Sequence, residues 1–388
     1  MPILNRAAEL QTEVTEWRRH LHENPEILYD VTGTAAFVAG KLQEFGVDEI
    51  VTGIGRTGVV GIINGRGGST GRTIGLRADM DALPVDEVTG KPWASKIPGR
   101  MHACGHDGHM AMLLGAAKYL AETRNFNGRV AVVFQPAEEG GAGALAMVQD
   151  GLMERFDIGE VYGMHNMPGI AAGHFAIRKG GIMAAPDKFT IRISGRGGHA
   201  AQPNRAIDPI VIGAQIVSNL QIIAARNIDP LESVVVSVTK FISGTAHNII
   251  PPDAEIAGTV RTLNEAVQDQ TEERMRQIVE GIAATHGAVG ELRYERNCPV
   301  TVNHAAETDH AAAVAREIAG AAHVDSDVAP SMAGEDFSFM LKERPGAFIF
   351  IGNGESAGLH NPGYDFNDEI IASGVSYWVR LAESRLTD

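Results

Sequence analysis

The 388-residue sequence is short of cysteine, of long apolar runs and of positive charge, and each shortage excludes something. Two cysteines, Cys104 and Cys298, cannot build a disulfide framework, so a stapled secreted scaffold is excluded and a reducing, cytoplasmic setting is expected. No stretch approaches the ~18–20 uninterrupted apolar residues of a membrane span, so no membrane partner is expected. The opening MPILNRAAELQTEV lacks the apolar core of a signal peptide and reads as an amphipathic helix. Only 33 Lys and Arg stand against 48 Asp and Glu, a formal net charge of −15. A phosphate backbone would repel such a chain, which argues against a general nucleic-acid binder. Internal repeats, low-complexity tracts and long charge runs are missing too.

What remains has the make-up of a globular protein, and at ~100–200 residues per domain the length predicts two domains. Leu10, Val14, Trp17 and Leu21 predict a helix from about Ala7 to Glu23, stopped by Pro25. A second helix is predicted over 34–45. Short apolar strands come next at TGVVGIIN, TIGLRAD, RVAVVFQPAEE and EVYGMHN, with a strong helix at MAMLLGAAKYLAE. This alternation predicts an α/β fold with a mostly parallel sheet. From Pro186 the order becomes β-α-β-β-α-β, the ferredoxin-like split βαβ pattern. After Cys298 the α/β alternation returns with helix DHAAAVAREIAGA and strand AFIFIGNG. The expected organisation is therefore a discontinuous large domain, 1–185 and 297–388, with an inserted domain at 186–296.

Ligands of open α/β sheets collect at the carboxyl ends of strands. TIGLRADMDALP delivers Asp79 and Asp81 there, RVAVVFQPAEE delivers Glu138 and Glu139, and EVYGMHN delivers His165. His360 follows AFIFIGNG in LHNPGYDF. The stretch MHACGHDGHM adds Cys104 and His106 where a loop enters a helix. Each side chain alone is more often an ordinary polar group or a small buried residue. Their coincidence at one sheet edge points to a metal site.

The motifs WRRHLHENPE, LRADMDALP, MHACGHDGHMAMLLG, FQPAEEG, GMHNMPG, GRGGHAAQPN, NIIPPDAEIAGTVR, AGEDFSF and LHNPGYDFND span the chain. Together they resemble the aminoacylase/carboxypeptidase family of co-catalytic metallohydrolases, in the branch of hippurate hydrolases and auxin–amino acid conjugate hydrolases. The resemblance implies a metallohydrolase catalytic domain with an inserted lid and dimerisation domain. It implies two divalent ions per subunit, held by Cys104, His106, Glu139, His165 and His360, with the Cys104 sulfur between them where many relatives use Asp. Asp79 then stands where those relatives have a ligand His, and His106 replaces it. Asp81 would orient a ligand. Mixed S, N and O donors suit Zn²⁺, Co²⁺, Ni²⁺ or Mn²⁺, and manganese is frequent in this branch. His199 would reach from one subunit into the partner's site to polarise the scissile carbonyl, while Asn248 and Arg261 would grip the substrate carboxylate. WRRHLHENPE carries no mechanism of its own, and its His20 and His22 read equally well as structural.

Glu138 decides the class of activity. A structural metal site has no use for a second carboxylate beside Glu139, whereas a hydrolase needs a base for the attacking water. The expected activity is hydrolysis of small N-acyl amino acids to a carboxylic acid and a free amino acid, by a homodimer or a tetramer built from it. A dipeptidase or an N-acetyl-diaminopimelate-type deacetylase would use the same site. A metal-dependent binding protein would lack the base, and a cysteine hydrolase using Cys104 would survive chelators.

Overall fold

Ala7, Leu10, Val14, Trp17 and Leu21 recur every three or four residues, and in the computed structural model they form the buried face of helix Asn5–Glu23. The structure describes residues 3–66 and 71–387. These fall into two units. The larger runs to Ile182 and resumes over Val302–Ala329 and from Asp336; the smaller comprises Met183–Thr301 and Pro330–Glu335.

The larger unit is built on an eight-stranded sheet. Across it lie strands Glu49–Ile54, Gly58–Asn64, Arg129–Gln135, Thr73–Asp79, Ile158–Pro168, Gly346–Gly354, Phe175–Ala176 and Val324–Asp325. The four from Arg129–Gln135 to Gly346–Gly354 are parallel to one another, so their carboxyl ends share one edge. Antiparallel pairings flank them. Thr73–Asp79 is buried at every position, as a central parallel strand covered on both faces should be. Helices Asn5–Glu23, His106–Thr123 and Ile371–Arg385 pack together, and His106–Thr123 lies against Thr73–Asp79. Gly115 permits this close approach: a Cβ there would sit 2.7 Å from Val375 Cγ2 and 3.1 Å from Val14 Cγ2. Among the elements that carry no expectation from the sequence are the exposed edge strand Glu49–Ile54, the two-residue strands Phe175–Ala176 and Val324–Asp325, and the buried helix Ile371–Arg385.

The smaller unit has the expected β-α-β-β-α-β order. Its antiparallel sheet runs Val234–Ile242, Asp253–Thr262, Ala185–Ser194, Val289–Glu295. Alternate residues Phe189, Ile191 and Ile193 are buried, joining Ile212, Ile216 and Leu220 of helix Pro209–Ile222 and Met275 and Val279 of helix Glu265–Thr285 in one core. Asp208 caps the first helix by accepting from Ile210 N (2.9 Å), with Pro209 in its first turn. That helix, continued to Asn227, is the one described segment long and apolar enough by composition to cross a membrane. Its apolarity serves the core on one side.

The boundaries differ from the expected 186–296. Pro330–Glu335 joins the smaller unit because Ala184 N donates to Ser331 O (3.1 Å) and Ala333 O (2.9 Å), and Thr301 Oγ1 to Glu335 O (3.2 Å). Pairing between such distant segments leaves no local trace in the sequence.

Candidate metal centre

Asp79 ends its strand, His165 lies within Ile158–Pro168, and the loops after Gln135 and Gly354 carry Glu138, Glu139 and His360. Gly105, at φ 89°, turns the chain from Cys104 into helix His106–Thr123. His360 itself takes φ 63° and donates its backbone N–H to Ala103 O (2.8 Å), a strained conformation at the point where the two loops meet. Seven of the expected residues thus gather in the larger unit: Asp81, Cys104, His106, Glu138, Glu139, His165 and His360.

Their ligand atoms form overlapping triads, each with all atoms within 4.8 Å of one another: Cys104–His106–His165, Cys104–Glu139–His360 and His106–Glu138–Glu139. The first two share Cys104. Cys104 Sγ lies 3.4 Å from His165 Nε2, and His360 Nε2 lies 3.2 Å from Glu139 Oε1. Two backbone carbonyls set the ring orientations. His165 Nδ1 donates to Asn166 O (2.6 Å) and His106 Nδ1 to Asp81 O (2.7 Å). A carbonyl only accepts, so each proton sits on Nδ1 and each Nε2 turns toward the cluster.

The electrostatics call for cations. Burial holds His165 neutral, well below its ordinary value. Burial also opposes a charge on His106, but Asp79, Asp81 and Glu139 outweigh it and push that ring up to about 10. Burial and the carboxylates of Glu139, Glu138 and Asp79 push the Cys104 thiol well above its ordinary value. An unaided Cys104 is therefore a thiol rather than the thiolate that a nucleophile requires. A cation reverses that preference. The residues fit divalent metal ions. His106 Nε2 is buried without a hydrogen-bond partner, and the available donors are one sulfur, three imidazoles and a carboxylate.

Asp81 holds the loop that bears Glu138 and Glu139. Its Oδ1 accepts from Glu138 N (3.0 Å) and its Oδ2 from Glu139 N (3.1 Å). Asp79 accepts from Arg77 Nη1 (2.8 Å) and pairs with His109 Nδ1 (2.6 Å). Arg77 in turn donates to Gln135 Oε1 (2.8 Å), and Gln135 Nε2 to Asp336 Oδ1 (2.7 Å). His109 has no role assigned from the sequence, although HDGH places it one turn from His106 on the same helix face. Its Nε2 meets Asn166 Oδ1 at 2.7 Å. Arg77, Gln135 and Asn166 are likewise additions from the structure.

His199, Asn248 and Arg261 belong to the smaller unit. His199 is exposed in the short strand Gly198–His199, paired with Ile249–Ile250. The pairing puts Asn248 beside it, with Ala200 N donating to Asn248 O (3.0 Å). His199 Nδ1 accepts from Ala201 N (3.1 Å), so a neutral ring carries its proton on Nε2. Arg261, half-buried on Asp253–Thr262, donates to Val260 O (3.1 Å) and to Thr259 Oγ1.

Comparison with known proteins agrees with this chemistry. Residues 75–384 match the model of peptidase family M20/M25/M40. A hippurate hydrolase of Campylobacter jejuni is 44% identical over 384 residues, covering 98% of this chain and 99% of that protein. An N-acyl-L-amino acid amidohydrolase of Geobacillus stearothermophilus is 46% identical over 298 residues, 76% of this chain and 79% of that one. The crystal structure of Bacillus subtilis YxeP, described as a dinuclear metal-binding M20 peptidase, superposes with a TM-score of 0.86 at 34% identity, covering 98% of this chain and 99% of that one.

Proposed function

The chain belongs to peptidase family M20/M25/M40, and on that premise we propose that it is a metal-dependent amidohydrolase of N-acyl amino acids. The observation that carries the reading is the pair of ligand triads joined at Cys104, with Glu138 in the adjoining triad. Divalent ions held there would supply Lewis acidity to a water and to the substrate carbonyl. Zn²⁺, Mn²⁺, Co²⁺ and Ni²⁺ all suit the donor set. Glu138 takes the proton of the attacking water and returns it to the departing amine nitrogen. His199, with its proton on Nε2, donates a hydrogen bond to the carbonyl oxygen as negative charge develops. Asn248 and the Arg261 guanidinium bind the carboxylate of the amino-acid half.

We assign His199 to the site of a second subunit, in a homodimer joined through the smaller units. Strand Val234–Ile242 lies at an edge of its sheet and exposes Phe241 and Ile242, and helix Pro209–Ile222 exposes Ile210, Val211 and Ile222. Such an edge and apolar patch suit a second copy. A cytoplasmic setting fits two buried cysteines that form no disulfide.

The test is a hydrolysis screen of metal-reconstituted protein against acetyl-, benzoyl- and indole-3-acetyl-amino acids, dipeptides and N-acetyl-diaminopimelate. Turnover of N-acyl amino acids that stops on chelation is expected. Preference for dipeptides would move the assignment, and full turnover after metal removal would sink it.

A further inference from the structure

WRRHLHENPE supplies no metal ligand, yet its Arg18 is fully buried and reaches two of the segments that do. Arg18 Nη2 donates to Asp365 Oδ1 (2.9 Å) and to Phe366 O (2.8 Å). Its Nε lies 3.3 Å from Asp107 Oδ2 and 3.2 Å from Asp368 Oδ1. The guanidinium carbon stands 5.6 Å from the Phe366 ring centre and 5.7 Å from that of Trp93. Asp107 follows His106 directly in the segment that also bears Cys104. Asp365, Phe366 and Asp368 lie just beyond His360. One side chain therefore joins the two segments that bring Cys104, His106 and His360 together.

Stability is a poor reason for this arrangement. Desolvation offsets much of the attraction in a buried ion pair, and apolar residues of similar volume often serve as well. What a guanidinium offers is geometry. Its planar fork holds several acceptors at fixed angles and stacks on aromatic rings, which the point charge of lysine cannot do. The partners are themselves held. His22 Nδ1 meets Asp107 Oδ2 at 2.8 Å, Arg19 Nη2 meets Asp368 Oδ2 at 2.9 Å, and Lys91 Nζ meets Asp365 Oδ2 at 3.0 Å.

We propose that Arg18 is a positioning residue of the metal centre. It sets the spacing between the Cys104–His106 segment and the His360 segment, so that both triads close on one sulfur. This role rests on the reading of the triads as a metal centre.

Co²⁺ titration of chelator-stripped, full-length protein tests it. The sulfur-to-cobalt charge-transfer band reports the geometry, and the titration reports the affinity. For Arg18→Lys, Co²⁺ binding roughly 10- to 100-fold weaker than wild type, with an altered band, is expected, the size of loss typical when a partner behind a metal ligand is changed. A residue that merely braces the fold would lower the melting temperature and leave the folded protein's affinity and band unchanged; that result overturns the proposal. Should Arg18→Lys fail to fold, Asp365→Ala removes one partner at the more exposed end. Co²⁺ affinity roughly tenfold weaker is then expected, and wild-type affinity and spectrum overturn the proposal. If wild-type protein itself binds no Co²⁺, the metal-centre reading falls. If it binds and the variants match it, only the role of Arg18 falls.

Discussion

Asp81→Asn should disable the site while leaving every metal ligand in place. The buried carboxylate accepts one backbone N–H on each oxygen, from Glu138 at 3.0 Å and from Glu139 at 3.1 Å. Asparagine keeps one acceptor and turns an NH₂ toward the other N–H, donor against donor. A hydrogen bond to a charged group is worth ~1.5–3 kcal/mol, and a buried donor left unpaired costs ~1–3 kcal/mol. Allowing for some relaxation, about 2–4 kcal/mol falls on the short loop that carries Glu138 and Glu139, the proposed base and ligand. At about 1.4 kcal/mol per factor of ten, that is roughly 30- to 1,000-fold, shared between metal affinity and turnover. Metal titration and kcat measured at saturating metal separate the two parts. A combined loss below about threefold would refute the idea that Asp81 positions this loop, since that is less than one such hydrogen bond is worth.

Three further outcomes are expected from the same geometry. Glu138→Gln should retain its metal content and lose about 10²–10⁴-fold in kcat; activity within a few-fold of wild type would place the base elsewhere. Gly115→Ala gains up to ~1 kcal/mol in helix propensity, but its Cβ would crowd Val375 and Val14, an overpacking cost of ~1–3 kcal/mol, so the melting temperature should fall by a few degrees; a rise would show that the three helices can part freely. In the proposed homodimer, equal amounts of inactive His199→Ala and Glu138→Gln protein, mixed to full subunit exchange, should regain about a quarter of wild-type activity, because about half the dimers would be mixed and each would have one intact site. No recovery despite proven exchange would mean that His199 acts in its own subunit or not at all.

The gathering of Asp81, Glu138 and Glu139 was legible in the sequence because each comes within a few residues of the carboxyl end of a buried strand. Thr73–Asp79 and Arg129–Gln135 are apolar enough to be recognised as strands, and the residues just past their carboxyl ends must lie at the sheet edge. The ring nitrogens that face the cluster were not legible, since they depend on the carbonyls of Asp81 and Asn166. The same holds for the support behind Asp79. Arg77, Gln135 and Asp336 come from three separate segments, and only the folded chain shows that they form one hydrogen-bonded chain. AGEDFSF marks Asp336 as part of a motif but says nothing of Gln135. In the smaller unit the element order was readable from alternation. The adjacency of His199 and Asn248 was not, because it arises from a two-residue strand pair.

On the proposed reading, Cys104 would serve two ions at once. The most direct test is the metal-to-chain ratio of reconstituted protein, wild type and Cys104→Ala, measured by elemental analysis after removal of loosely bound ions. Two ions per wild-type chain are expected, with both sites weakened together by the single substitution. One ion per wild-type chain, or a variant that loses one ion and keeps the other at full affinity, would contradict the shared sulfur.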